Sequence, residues 1–176
     1  MTRETTGPTG KPDDHQGIRV RSARDADAME LARLAGELGY PTEAAEMRRR
    51  LALLEGRTDH AVFVAERERP DGGMLGWIHV GCAILLESGE SAEVLGLVVD
   101  PRGRRSGTGR MLVAAAEAWG RTLGLGSIVV RSNAVREEAH RFYPAIGYCL
   151  AKTQRVYSKP LGGSAGISGS ARNGVS

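Results

Sequence analysis

The chain is poor in several of the residue types that carry common chemistries. It has two cysteines in 176 residues, Cys82 and Cys149. Both lie in apolar stretches at a separation that suits neither a redox motif nor a metal site, so buried thiols are expected. No His/Cys/Asp/Glu cluster has metal-ligand spacing, so no metal is expected. Aromatic residues make up only 5%, too few for a surface on which bases stack. No run approaches the roughly 18 apolar residues of a membrane span. The N-terminus lacks the apolar core of a signal peptide. The formal net charge of +3 does not by itself imply nucleic-acid binding. These absences point to a reduced, cytoplasmic protein that binds neither membrane nor nucleic acid.

What remains is an ordinary globular composition, 41% hydrophobic and 26% charged, long enough for one domain with a real core. Residues 1–16 are rich in Thr, Gly, Pro and Asp, with no apolar residue after Met1, and are expected to be a disordered tail. Residues 161–176 are Gly/Ser-rich and are expected to form a second flexible tail. The folded domain should therefore span 17–160.

Inside it, hydrophobic periodicity alternates between strand and helix. Ile18 to Arg21 reads as a strand. Met29, Leu31, Leu34, Ala35 and Leu38 recur at helical spacing before Gly39. A second helix restarts at Pro41-Thr42, with Thr42 as N-cap and Met47, Leu51 and Leu54 on its apolar face. Ala61–Ala65 and Leu75–Leu85 are strands separated by a turn cluster at 69–73, and a second turn at Ser88-Gly89-Glu90 makes a hairpin with Ala92–Val99. A long helix runs from Thr108 to Leu123, where Gly124 ends it. Ser127–Arg131 is a strand, Glu137–Phe142 a short helix, and Tyr148–Tyr157 a final strand. The order β-α-α-β-β-β-α-β-α-β predicts an α/β fold with helices on both faces of a mixed sheet.

The most informative segment is Leu97-Val98-Val99-Asp100-Pro101-Arg102-Gly103-Arg104-Arg105-Ser106-Gly107-Thr108-Gly109-Arg110. A strand ends, a Gly-rich loop follows and a helix begins, so free backbone N–H groups and the positive helix end converge on one point. That point suits a phosphate. Ser106, Gly107 and Gly109 are small enough for close approach, and Arg102, Arg104, Arg105 and Arg110 concentrate positive charge there. The Gly-Lys-Ser/Thr of a Walker A loop is absent, and Leu112 stands where a dinucleotide fingerprint needs its third glycine. What is left is Arg104-x-x-Gly107-x-Gly109. An exposed basic turn before a helix is the plain alternative.

A second block settles which phosphate ligand to expect. Strand, Arg-x-x-Gly-x-Gly, helix resembles the acyl-CoA pyrophosphate loop of the GNAT superfamily. Arg131-Ser132-Asn133 followed by Ala139-His140-Arg141-Phe142-Tyr143-Pro144-Ala145-Ile146-Gly147-Tyr148 is similar to that family's Asn…Ala-x-x-Phe-Tyr-x-x-x-Gly-Phe/Tyr segment. The resemblance covers roughly Ile18 to Pro160. It implies a mostly antiparallel sheet whose central parallel strands splay apart, with acetyl-CoA as co-substrate and a primary amine as acceptor. It also implies that Leu97, Val98 and Val99 line the acyl-pantetheine arm, that Arg104, Arg105, Ser106, Gly107, Thr108, Gly109 and Arg110 hold the pyrophosphate, and that Asn133 bonds the arm. The sequence departs from the family at Gly103, Arg105 and Thr108, where an aromatic, a glycine and an aliphatic residue are common. Pro144 is a further departure. It disfavours helical backbone at the residue before it, so the helix should kink or end at Tyr143.

Acyl transfer to an amine needs a base for the ammonium, a stabilised oxyanion and an acid for the departing thiolate. Glu93, on the strand leading into the loop, is the candidate base. Its ordinary pKa near 4.3 would require desolvation or a water relay. Tyr143 is the candidate acid. Trp77 and His79 share one face of a hairpin strand and could line an amine pocket, with His79 a hydrogen-bond partner or alternative base; Tyr40 lies where the family places acceptor elements. His60 and His140 read as surface or structural residues. Arg121 and Arg48 to Arg50 read as solvated helix faces. The function expected is N-acetylation of a small-molecule amine in a ternary complex. Acetylation of a protein or peptide, and a non-catalytic acyl-CoA sensor, are the alternatives. A homodimer is left open.

Overall fold

The computed structural model describes residues 17–68, 72–133 and 135–161. Most of residues 1–16 and 161–176, the two expected tails, lie outside them, as do three of the five residues in the turn cluster at 69–73. Strands β1 (Ile18–Ser22), β2 (His60–Arg67), β3 (Met74–Leu85), β4 (Gly89–Val99) and β5 (Ile128–Val130) form one sheet in the order β1-β2-β3-β4-β5. The first three pairings are antiparallel and β4–β5 is parallel. Helices α1 (Ala28–Glu37) and α2 (Ala44–Leu54) follow β1; α3 (Thr108–Thr122) joins β4 to β5, and α4 (Glu137–Ala145) follows β5.

Side chains alternate across the sheet with period two. On one face Ala65, Ile78, Val80, Ala92 and Val94 pack with Leu112, Val113 and Ala116 of α3. On the other, Val64, Met74 and Val98 pack with Leu31 and Leu34 of α1, flanked by Met47 and Leu51 of α2. Ile78 and Leu112 are wholly buried, and burying each such side chain contributes about 1.5–3 kcal/mol. Two helical layers on opposite faces are thus the expected α/β architecture.

Several expectations need correction. Tyr148–Tyr157 is not a strand, and Leu150, Val156 and Tyr157 are more than four-fifths exposed. β5 is three residues long, too short an edge for a ten-residue ladder. The parallel pair therefore stands at the edge of the described sheet and not at its centre. Cys149, on that segment, is exposed, and Cys82 is half-buried; neither is the buried thiol expected. Met29 is 67% exposed. It sits two residues before Leu31, about 200° around the helix, on the face turned from the sheet. The chain stays extended through Glu43, which takes the N-cap position expected for Thr42.

Candidate active site

The Arg/Gly loop begins with Asp100, whose carboxylate is almost fully buried. It accepts from the Arg102 backbone N–H at 2.8 Å, from Arg102 Nε and Nη2, and from Arg33 Nη2 at 2.7 Å. The Arg102 guanidinium beside it, with Arg33, holds the Asp100 carboxyl far below the usual range. Arg102 is thereby neutralised by Asp100. Arg104, Arg105 and Arg110 have no carboxylate partner among the described residues, and all three are exposed. The free positive charge of the loop is theirs.

The turn itself is built by small residues. Gly103 is buried, and a Cβ there would lie 3.0 Å from Leu75 Cβ; an aromatic would not fit. Gly107 has φ +81° and precedes the first turn of α3, which carries no side-chain cap. The amides of that turn therefore stay available to an anion. Arg105 adopts φ +63°, the left-handed conformation that a glycine takes without strain. Ser106 Oγ donates to Gly103 O at 2.8 Å and shares a hydrogen bond with the buried Thr108 Oγ1 at 2.9 Å. Both hydroxyls brace the loop from within. Gly109 admits Phe142, since a Cβ there would lie 3.3 Å from its ring.

The second element is the splay. β4 and β5 pair only at Ala92–Ile128, Glu93–Val129 and Val94–Val130. From Leu95 onward β4 has no strand on its outer side among the described residues. Leu95 is also the extra residue of a bulge, because His79 pairs with Gly96 and Val80 with Val94. Leu97 and Val99 lie on the open stretch that leads into the loop. Val98 differs: its side chain is buried against α1, so its only route to a ligand is through backbone atoms.

Asn133 ends the other arm. Its Oδ1 accepts from Val135 N at 3.2 Å and its carbonyl from Arg136 N at 3.0 Å, so it caps the turn into α4. Its amide nitrogen has no partner among the described residues. Arg136 then donates to the Leu38 carbonyl, fastening the loop that carries the exposed Tyr40 to this end of the splay. The α4 helix runs through Pro144 to Ala145, so the expected break at Tyr143 does not occur. Proline falls in the last turn, where the N–H it lacks removes one bond to an upstream carbonyl, and the helix ends one residue later. Tyr143 packs between the rings of Phe142 and Tyr148, at centroid distances of 5.2 and 5.5 Å. Burial pushes its phenol up to about 12, so it is a protonated donor at all physiological pH values.

The acceptor side follows from the packing. The sheet face toward α3 is filled by the core. On the opposite face, α1 and α2 cover the end bearing Trp77 and Val98, while His60, His79, Gly81, Glu93 and Leu95 lie beyond that packing. Glu93 pairs across the ladder with Gly81, and His79 with Gly96. Arg131 Nη1 donates to Glu93 Oε1 at 2.8 Å, and the carboxylate is 17% exposed. The candidate base thus has a cationic partner. Trp77 is largely a core residue: its ring lies over Gly96, and its buried Nε1 has no hydrogen-bond partner among the described residues.

His60 is the residue that sequence reading passed over. Its Nδ1 lies 3.0 Å from His79 Nε2, and its ring lies over Gly81. Nineteen residues separate the two histidines, and only the β2–β3 register brings them together. Burial, with His60 alongside, pushes His79 down to about 4, so it is neutral at pH 7. His140 is exposed, and Arg48, Arg49, Arg50 and Arg121 pair with surface carboxylates. No group of three metal-ligating side chains occurs among the described residues, and no helix among them is long and apolar enough to cross a membrane.

A splayed parallel pair feeding a basic glycine loop and a helix N-terminus defines an acyl-CoA-binding acetyltransferase fold. The acetyltransferase (GNAT) domain profile matches residues 58–149. The aminoglycoside N(6')-acetyltransferase type 1 of Stenotrophomonas maltophilia is 30% identical over 152 residues, covering 83% of this chain and 95% of the relative. The chain belongs to the GNAT acetyltransferase family and is an acyl-CoA-dependent N-acetyltransferase. Among solved structures, the aminoglycoside 6'-N-acetyltransferase AAC(6')-Ih of Acinetobacter baumannii superposes with a TM-score of 0.71 at 16% identity, over 83% of this chain and all of that one. The aminoglycoside N-acetyltransferase AAC(6')-Iy in complex with CoA superposes with a TM-score of 0.72 at 17% identity, over 81% and 94%.

Proposed function

We propose that this protein transfers an acetyl group from acetyl-CoA to a primary amine of a small molecule, by direct attack in a ternary complex. The observation that carries the reading is the run from the β4–β5 splay at Val94 into the loop of Arg104, Arg105 and Arg110. The donor set fits the cofactor: unpaired guanidiniums and uncapped α3 amides suit a pyrophosphate, and the open edge at Leu97 and Val99 suits the amides of a pantetheine arm. Acetyl-CoA supplies the activated acyl group. The Asn133 amide steadies the arm, and the Tyr143 hydroxyl donates a proton to the leaving sulfur.

Glu93 stands on the acceptor face, where its carboxylate attracts a substrate ammonium. Acting as base would require it to give up Arg131 first. The small-molecule reading is favoured by the relative from Stenotrophomonas maltophilia, an aminoglycoside N(6')-acetyltransferase. The test is thiol detection of CoA release across aminoglycosides, polyamines, amino acids, aryl amines and lysine peptides. Turnover with a small amine supports the reading. Turnover confined to peptides would replace it with protein acetylation, and binding of acetyl-CoA without turnover would leave a sensor.

A further inference from the structure

We infer that His79 and His60 form the proton exit of the acceptor site, His79 relaying the proton of the incoming ammonium and His60 delivering it to solvent. The inference rests on the acetyltransferase reading and deepens it.

Three observations carry it. The first is position. His79 lies directly across the ladder from Gly96, beside the Leu95 bulge and next to the point where β5 leaves β4. It therefore adjoins the place where an acyl group at the splay must meet its acceptor. It does so on the sheet face that α3 does not fill.

The second is connectivity. A 3.0 Å contact between His79 Nε2 and His60 Nδ1 requires one nitrogen to carry the proton and the other a lone pair. With the proton on His79 Nε2, His79 Nδ1 holds a lone pair and has no other partner among the described residues. A proton accepted at Nδ1 then displaces the one at Nε2 onto His60 Nδ1. His79 is never left as a stored imidazolium, which suits a ring whose burial disfavours charge. His60 opens β2 beside the half-exposed Asp59, so the charge emerges at the rim of the sheet.

The third is competition. The charged groups facing the pair are Glu93 from β4, Arg131 from the end of β5 and Asp59 from the turn before β2. Arg131 occupies Glu93, and Arg57 occupies Asp59 at 2.6 Å. The two imidazoles are the titratable groups of this face that no ion pair engages among the described residues. Gly81 makes room for the His60 ring, since a Cβ there would lie 2.8 Å from His60 Cε1.

The ammonium loses one proton through His79 to His60 and so to solvent. The freed nitrogen lone pair forms the C–N bond to the acyl carbon. The C–S bond breaks with its electron pair on sulfur, which takes the Tyr143 proton. The second proton of the attacking nitrogen leaves as the amide forms and returns to the Tyr143 oxygen. The products are the acetylamide, CoA thiol and one proton in solvent.

The test compares wild type with His79→Gln, His60→Gln and the double variant, reading kcat, KM for acetyl-CoA and the pH profile of kcat. The expected result is a loss of about 10²-fold in kcat in each single variant, with KM for acetyl-CoA unchanged. The acid limb of the wild-type profile should disappear in both. The double variant should be no slower than either single one, because the pair acts as a unit. Glutamine at position 60 can accept the hydrogen bond but cannot pass a proton on, so this variant reads out the relay even if His79→Gln folds poorly. Wild-type kcat and profile in His60→Gln would overturn the inference alone. Absence of wild-type turnover with every amine would overturn the acetyltransferase reading and the inference together.

Discussion

Arg33 of α1 and Asp100 at the mouth of the loop meet at 2.7 Å, across 67 residues of sequence. Asp100 joins the helical layer over the acceptor face to the loop proposed to hold the pyrophosphate. Its carboxyl is 3% exposed and is bonded by two guanidiniums and a backbone amide. Asp100→Asn should lower unfolding stability by about 1–3 kcal/mol, measured by chemical denaturation. It should also raise KM for acetyl-CoA, since Arg102 and the turn lose their anchor. Because the folded carboxyl titrates far below its unfolded value, its contribution is complete above about pH 4 and fades as pH falls below that. Wild-type stability should therefore drop more steeply in acid than that of Asp100→Asn.

Arg105 carries both charge and strain. Its φ of +63° costs a non-glycine residue about 1–2 kcal/mol. Arg105→Gly should raise the melting temperature while weakening acetyl-CoA binding several-fold, because a guanidinium is lost. Differential scanning fluorimetry and isothermal titration calorimetry on one preparation would show the two effects moving in opposite directions.

Gly81 makes room for His60. Gly81→Ala places a methyl against the His60 ring and against Leu95. The ring is a movable side chain, so it should swing away at little cost in stability. The kinetic consequence should match that of His60→Gln: kcat falls, while acetyl-CoA binding measured by calorimetry stays constant. Retention of full kcat would show that the ring's position is immaterial.

His79 also predicts a pH dependence of folding. Its folded value of about 4 lies below the ordinary 6.5. A depressed histidine contributes stability that is full above the unfolded value and is lost as pH falls from about 6.5 through 4. Denaturation midpoints measured across that window should decline in wild type and flatten in His79→Gln.

The order of the first nine elements was legible in the sequence, because β2, β3 and β4 are apolar runs bounded by turn residues and α3 carries a period of 3.6. The loop was legible too, since its glycines and arginines are contiguous. The last strand misled: Tyr148–Tyr157 has strand-like residues, but the three-residue β5 offers it no ladder. The neutralisation of Arg102 by Asp100 could be suspected from their spacing, and that of Glu93 by Arg131 could not. The His60–His79 pair was invisible, because register across a hairpin, and not separation along the chain, decides which side chains meet. Pro144 looked like a helix breaker, yet it removes one upstream hydrogen bond from a turn in which the helix is already ending, and a local motif does not reveal where that end lies.

The most direct measurement uses acetyl-CoA labelled in the acetyl group, incubated with the protein and each amine in turn, with products resolved by mass spectrometry. The account predicts label on the nitrogen of a small primary amine, one CoA thiol released per label transferred, and a loss of about tenfold or more in Tyr143→Phe. Tight binding of acetyl-CoA with no label on any amine would contradict it.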